Sequence, residues 1–443
     1  MSEELQTPEE PRERFIPIAK QEIVADLLAA SHWGDEEQQQ FGEFCQIFSA
    51  LYHYKFYSHL EELKRCYAPF NPDSDIVTQH EYSDQEKSEL HNTLINELRE
   101  LLNNANYDGL TVDKINELMN ADSYYGVSVS VDLDDFAEMI TYYRGASTKV
   151  EYKRTWYSLF LLKKRFEIPI YKRFFFLLKF KTEDERVQDL LKREKAKEDW
   201  DDAKQSKFEK KARKQVQKSR KNLPTDVTDE HIFIKLFKNI PRTDLGMLFP
   251  NQNVRLKMFD KIKLSITGGG GTIGGIWTTI TKVTVAAVSP VTLAFAFAGL
   301  IGVIFRQIMN IFTQRDKYMM VLSRNLYFHN LDNNVGVMNF LIDMAEEEED
   351  KEAILAYYFL HSQRDKNYTQ EELDSAIESY IEDKYGTAID FEVDDGLRKL
   401  RKEGILIEQE GGILKVLDLH DACACIDKQW DDFFKFNLAE NNC

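Results

Sequence analysis

The chain has 443 residues, with 75 Asp or Glu against 57 Lys or Arg and a net charge of −18. That length suggests two or three domains, and nothing in the acidic balance suggests a general nucleic-acid binder. Its cysteines, Cys45, Cys66, Cys423, Cys425 and Cys443, are too few and too scattered for a disulfide framework.

The first residues, MSEELQTPEEPRER, lack the apolar core of a secretory signal and the Arg-rich character of a transit peptide. Beyond them, FIPIAKQEIVADLLAASHW and FGEFCQIFSALYHYKFYSHLEELKRCYAPF carry apolar residues at three- and four-residue spacing, which predicts helices. Asn71-Pro72-Asp73 is a stop and a turn. Further helices are predicted over 83–103 and 111–120, giving an N-terminal helical domain over 1–120. Its many Tyr and Phe residues read as core.

The character changes at Tyr124. GVSVSVDLDDF, VEYKRTWYSLFLL, FEIPIY, RFFFLLKFK and HIFIKLF are rich in β-branched and aromatic residues. They read as antiparallel strands of a small β-rich domain over 121–260. Asp132, Asp134 and Asp135 can be drawn as an acidic catalytic cluster, but helix capping and first-turn charge explain them more simply. A charged helical insertion over 183–221 reads as a solvated, coiled-coil-like hairpin. Its second part, 204–221, has nine Lys or Arg against one Glu. Lys210, Lys211, Arg213 and Lys214 are its candidates for contact with an anionic lipid surface.

The block KNIPRTDLGMLFP follows the last strand. Pro241 ends that strand, because it has no N–H to join a ladder, and Thr243 or Asp244 can cap a short helix. Arg242 and Asp244, two apart, read as an ion pair holding a structural elbow.

Positions 264–305 hold one ionisable residue, Lys282. The stretch is long enough for one membrane span or two short ones. Gly270 with Gly274, Gly271 with Gly275, and Ala294, Ala298 and Gly302 recur at four-residue spacing. Small residues so spaced let two helices approach closely. Basic residues flank both ends (Arg255, Lys257, Lys261 and Lys263; Arg306, Arg315, Lys317 and Arg324), which keeps both ends on the cytoplasmic side. The expectation is a transmembrane helical hairpin over 261–312. The run GGGGT lacks the Gly-Lys-Ser/Thr ending of a phosphate loop.

A connecting helix is expected over 313–349, entering a Glu-rich joint at 346–350. Positions 350–443 then give a helix (AILAYYFLHSQ), a second helix opened by the capping box Thr369-Gln370-Glu371-Glu372, a third from Asp394, and a hairpin turned by Glu410-Gly411-Gly412. Three helices and a hairpin suggest a winged-helix-like module. Positions 346–443 carry 26 Asp or Glu against 11 Lys or Arg, so this module is expected to bind protein rather than DNA. His420, Cys423 and Cys425 supply three soft ligands where structural zinc takes four, so no metal is assigned.

The fold class expected from these elements is an α+β membrane protein. It combines an N-terminal helical bundle, a small antiparallel β-rich domain, a transmembrane helical hairpin and a winged-helix-like module. No nucleophile motif, HExxH, CxxC pair or dinucleotide fingerprint occurs, so no catalytic residue and no cofactor is assigned. The reading is a non-enzymatic, membrane-anchored scaffold or regulator. Its expected partners are the lipid bilayer and a protein partner or a second copy, with no nucleic acid. Both termini are expected in the cytoplasm, the membrane being the inner one of a bacterium or an organelle's in a eukaryote. The alternative is a membrane-associated enzyme or lipid-handling protein with a polar cleft in the β-rich domain gathering Arg144, Arg242 and Asp244.

The block FKNIPRTDLGMLFP followed by VRLKMFDKIKL resembles the signature of the domain of unknown function 3754 family, which includes the animal transmembrane protein 143. RERFIPI, LYHYKF, CYAPFNPD, YYRG, AILAYYFL, ELDSAIESYI and KQWDDFF are similar to other pieces of that family. The resemblance implies an integral membrane protein with soluble flanks. It implies no established activity, so it transfers no catalytic residues.

Overall fold

The computed structural model describes residues 12–434, apart from 31–32, 74–79, 121–126, 155–162, 196–201, 221–222, 224–226, 252 and most of 257–326. Helices come first in the chain: α1 (Lys20–Leu28), α2 (Asp35–Tyr67) and α3 (Asp84–Asn104). In α2 the buried Phe41, Phe44, Phe48, Leu51, Tyr52 and Phe56 recur every three or four residues, the stripe an amphipathic helix buries. Asp73 N–H donates to Asn71 Oδ1 at 3.1 Å in the predicted turn. Ser83 caps α3 and exchanges hydrogen bonds with Glu86, a capping box.

A short strand β1 (Asp108–Gly109), α4 (Val112–Asn120) and β2 (Val127–Ser130) lead into a long antiparallel pair, β3 (Phe136–Arg154) and β4 (Lys163–Phe180). The hairpin of α5 (Glu183–Lys195) and α6 (Asp202–Arg220) follows, with its own small core of Val187, Leu191, Ala212 and Val216. Next come β5 (Ile232–Pro241), a 3₁₀ turn (Arg242–Leu248), β6 (Asn253–Leu256) and β7 (Asn330–Asn333). The sheet runs β1-β3-β4-β5-β7, five strands with every pairing antiparallel. Side chains alternate across it. Phe175 and Leu177 enter one core, and Phe174, Phe176 and Leu178 enter a second core closed by Leu245, Leu248 and Phe249.

The chain then forms α7 (Val335–Ser362), α8 (Gln370–Tyr385), α9 (Val393–Lys402), the hairpin β8 (Leu406–Gln409) with β9 (Ile413–Val416), and α10 (Leu419–Asp431). Thr369 caps α8 with Glu372 as its box partner. The hairpin turns on Gly411 and Gly412, with φ of 84° and 78°, conformations that cost a glycine little. Helix α7 packs against α1, α2, α3, α8 and α9 and against β5, β7 and β9. All of its residues from 348 to 360 are buried. The stacked pair Phe44 and Tyr357, with centroids 4.0 Å apart, seats α2 on it. One continuous hydrophobic core therefore joins residues of the first helices, one sheet face and the last helices around α7.

The membrane-protein fold class is corrected here to a mixed α/β fold with a five-stranded antiparallel sheet. Among the described residues no helix is long and apolar enough to cross a membrane. The two longest helices show why. Helix α2 alternates its apolar stripe with Asp, Glu and Lys, and α7 carries EEEEDKE in its middle. Burying those charges takes protein partners that hydrocarbon does not supply. The expected hairpin over 261–312 lies, except for Gly302, Phe305, Arg306 and Met309, outside the described residues. The joint expected at 346–350 is helical, and it is the middle of α7.

Candidate functional site

Five consecutive ionisable residues of α7, Glu348, Glu349, Asp350, Lys351 and Glu352, are buried. Each such charge costs several kcal/mol unless it is paired and hydrogen-bonded (of order 20 kcal/mol in the idealised Born limit). The pairing comes from remote parts of the chain. Glu348 accepts from Arg144 of β3 at 2.8 Å, from Lys351 at 2.5 Å and from the Ile16 N–H at 2.9 Å. Lys351 also donates to the carbonyls of Ile16 and Ile18, at 2.7 and 3.2 Å. Asp350 holds Lys20 at 2.5 Å. Glu352 accepts from Lys399 of α9 at 2.7 Å and from Asn106 at 3.1 Å. Burial pushes the Glu352 carboxyl up to about 7, against the pull of Lys399.

The N-terminal RERFIPI segment thus crosses α7 as a strap. Ile16 and Ile18 enter the core, while the flanking charges tie down its edges. Arg14 reaches Glu392 at 2.5 Å and Asp108 at 2.9 Å. Glu13 meets Lys172 at 2.7 Å, and its carbonyl accepts from the Asp390 N–H at 3.0 Å. The Arg144 guanidinium lies 4.3 Å from the centre of the Phe15 ring. Gly145 of the YYRG piece has φ +74°, and a Cβ there would meet Lys172 at 2.8 Å and Glu13 and Phe15 at 3.1 Å. The glycine makes room for the strap.

Beside the strap a cleft of about 1120 Å³ opens between α2, α3, α7 and α9. Tyr52, Lys55, Phe56 and His59 form the α2 wall, and Glu97, Glu100, Asn103 and Asn104 the α3 wall. Arg14, Glu349 and the α9 side, with Glu392, Asp395, Arg398, Lys399 and Lys402, complete it. Apart from Tyr52, Phe56, Asn103 and Asn104, every lining residue is ionisable. Most of these are already paired: His59 with Glu97, Lys55 with Glu403 at 2.7 Å, Arg398 with Asp395 at 2.7 Å, and Lys399 with Glu352. Burial raises the Glu349 carboxyl above its ordinary value, although Lys399 and Arg398 pull it down.

The residues singled out from the sequence lie elsewhere. Pro241 is the last residue of β5, and Asp244 is buried in the 3₁₀ turn. The Arg242 guanidinium lies 5.0 Å from the centre of the Tyr171 ring, which belongs to the second core. Arg144 instead faces α7 through Glu348, so Arg144 and Arg242 point into different surroundings. Asp132 and Asp135 hold Arg186 of α5 at 2.5 and 2.7 Å, and Asn251 donates to the Asp132 carbonyl at 2.8 Å. That cluster anchors the α5–α6 hairpin to the sheet. On α6, Lys210, Lys211 and Lys214 are exposed, and Arg213 reaches Asp184 at 2.7 Å and Glu183 at 3.3 Å. Gly302 is helical and exposed, and no described residue comes within 4 Å of a Cβ placed there. Gly270, Gly271, Gly274, Gly275, Ala294 and Ala298 lie outside the described residues. The described residues hold no group of three or more His, Cys, Asp or Glu able to bind a metal.

Sequence reasoning missed the cleft. Its one local signal is the run EEEEDKE set directly against the apolar run AILAYYFL on the same helix, which places the charges on an element that must be buried. A family model described as protein of unknown function (DUF3754) matches residues 136–336, which include β3, β4, β5 and the 3₁₀ turn but none of the cleft's lining. No solved structure matches the chain.

Proposed function

For this chain, whose residues 136–336 match the DUF3754 family model, we propose a non-enzymatic scaffold or regulator that docks a protein partner in the charged cleft. The observation that carries the reading is the chemistry of the cleft wall. Pockets for small molecules are mostly apolar, with a few placed polar groups, and span about 300–1,000 Å³. This cleft is larger and ionisable on nearly every side. Alternating charges of both signs suit a surface that selects its partner by electrostatic complementarity. The net charge of −18 favours protein over nucleic acid as that partner.

The test is site-specific cross-linking in the native cell. A photoreactive benzoylphenylalanine replaces Asn104 on the cleft wall, and a control carries it at Lys218 on α6. The expected result is one reproducible adduct from position 104 that is lost when Arg398→Glu and Lys402→Glu reverse the charge of the α9 wall. Adducts that match those of the control, or that survive the reversal, contradict the docking reading. An adduct to a second copy of the chain identifies that copy as the partner.

A further inference from the structure

Among the buried charges of α7, Glu349 stands apart. Glu348, Asp350, Lys351 and Glu352 each have a hydrogen-bonded partner of opposite charge. Glu349 is 7% exposed and lines the cleft, yet among the described residues it makes no hydrogen bond and no ion pair. A carboxylate so placed lowers stability, because it loses hydration and gains no partner. Three cations of the cleft lining are committed. Lys399 is on Glu352, Arg398 on Asp395 and Lys55 on Glu403. Asp350 and Asp395 add further negative charge around it. Residues retained at a cost to stability are those expected to serve binding.

The geometry points to Glu349 as the anchor of the cleft, receiving a lysine or arginine side chain from a protein partner. This inference rests on the docking reading and names the chemistry of its occupant. An ammonium or guanidinium supplies the hydrogen-bonded opposite charge that Glu348, Asp350 and Glu352 have and Glu349 lacks. A single amine would fill a small part of 1120 Å³, so the cation is expected on a peptide segment. Lys402 lies on the same rim with no ion-pair partner among the described residues, and a carboxylate of that segment would meet it. Glu100, exposed on the facing wall, adds to the attraction for a basic segment.

The experiment uses the full chain and isothermal titration at low ionic strength. The probes are the peptides acetyl-Gly-Lys-Gly-Lys-Gly-amide and acetyl-Gly-Glu-Gly-Glu-Gly-amide, and putrescine. The lysine peptide is expected to bind, the glutamate peptide not to bind, and Glu349→Gln to weaken the lysine peptide at least tenfold. The thermal midpoint of Glu349→Gln should equal or exceed that of the unaltered chain, since the substitution removes an unpaired buried charge. Equal binding to both forms, binding to neither, or a lowered midpoint overturns the assignment. Putrescine binding as tightly as the lysine peptide also overturns it and marks a free-amine site. A partner that cross-links at position 104 equally well in Glu349→Gln leaves the docking reading standing and removes Glu349 as anchor. The absence of any specific cross-link removes both.

Discussion

Glu352 shows how the buried charges couple this fold to pH. Its carboxyl rises from an ordinary 4.5 to about 7 because burial disfavours the ionised form, even with Lys399 beside it. Asp374 rises likewise, to about 6, through burial and the acids around it. A carboxyl whose value is raised by folding binds its proton more tightly in the native state. Its contribution to stability is therefore full below the unfolded value and is lost as pH climbs through the folded one. Between pH 5 and pH 7 the unfolding free energy should fall by on the order of 1 kcal/mol per pH unit, the slope dying away towards pH 8. Urea titrations across that range check this, and Glu352→Gln should flatten the dependence. A profile that rises towards pH 8, or one that Glu352→Gln leaves unchanged, contradicts the assigned direction.

At the scale of elements, the contact of α9 with α7 positions one wall of the cleft. A Cβ at Gly396 would come within 2.8 Å of the Glu352 carbonyl oxygen, which is backbone and cannot rotate away. Replacing a helical glycine with alanine normally stabilises by about 1 kcal/mol, whereas overpacking costs about 1–3 kcal/mol. Here the clash should dominate. Gly396→Ala is expected to lower stability by about 1 kcal/mol net and to lift Lys399 away from Glu352. Denaturant unfolding measures the first effect; a stabilised variant would show that α9 sits less closely than described. Features set by neighbours in sequence were legible beforehand: the Thr369–Glu372 capping box, the turn at Asn71, the glycine hairpin and the strands rich in Phe and Ile. The burial of 348–352 was not. A run of Glu reads locally as solvated, and what makes it a core is a set of cations far away in the chain, Arg144 at 204 positions from Glu348 and Lys20 at 330 from Asp350. No periodicity records those pairings. The three Asp residues before β3 were legible as caps, while Arg186, the residue that makes them a cluster, lies about fifty positions on.

For the whole molecule, the strap, the sheet and the C-terminal helices meet on one helix, and each supplies a partner that the buried charges of α7 need. Removing any one contribution strands a charge in the interior, so the three should not unfold independently. The most direct test is native-state hydrogen exchange read by mass spectrometry on peptides covering 14–18, 140–146, 346–356 and 397–403. The account predicts one common protection free energy for all four under unaltered conditions. In Lys351→Met, which removes the cation shared by Glu348 and the strap carbonyls, the four should weaken together. Exchange of the 14–18 or the 397–403 peptide that is orders of magnitude faster than that of 346–356, in the unaltered chain, would contradict it. The centre of the fold would then lie elsewhere than in the charged middle of α7.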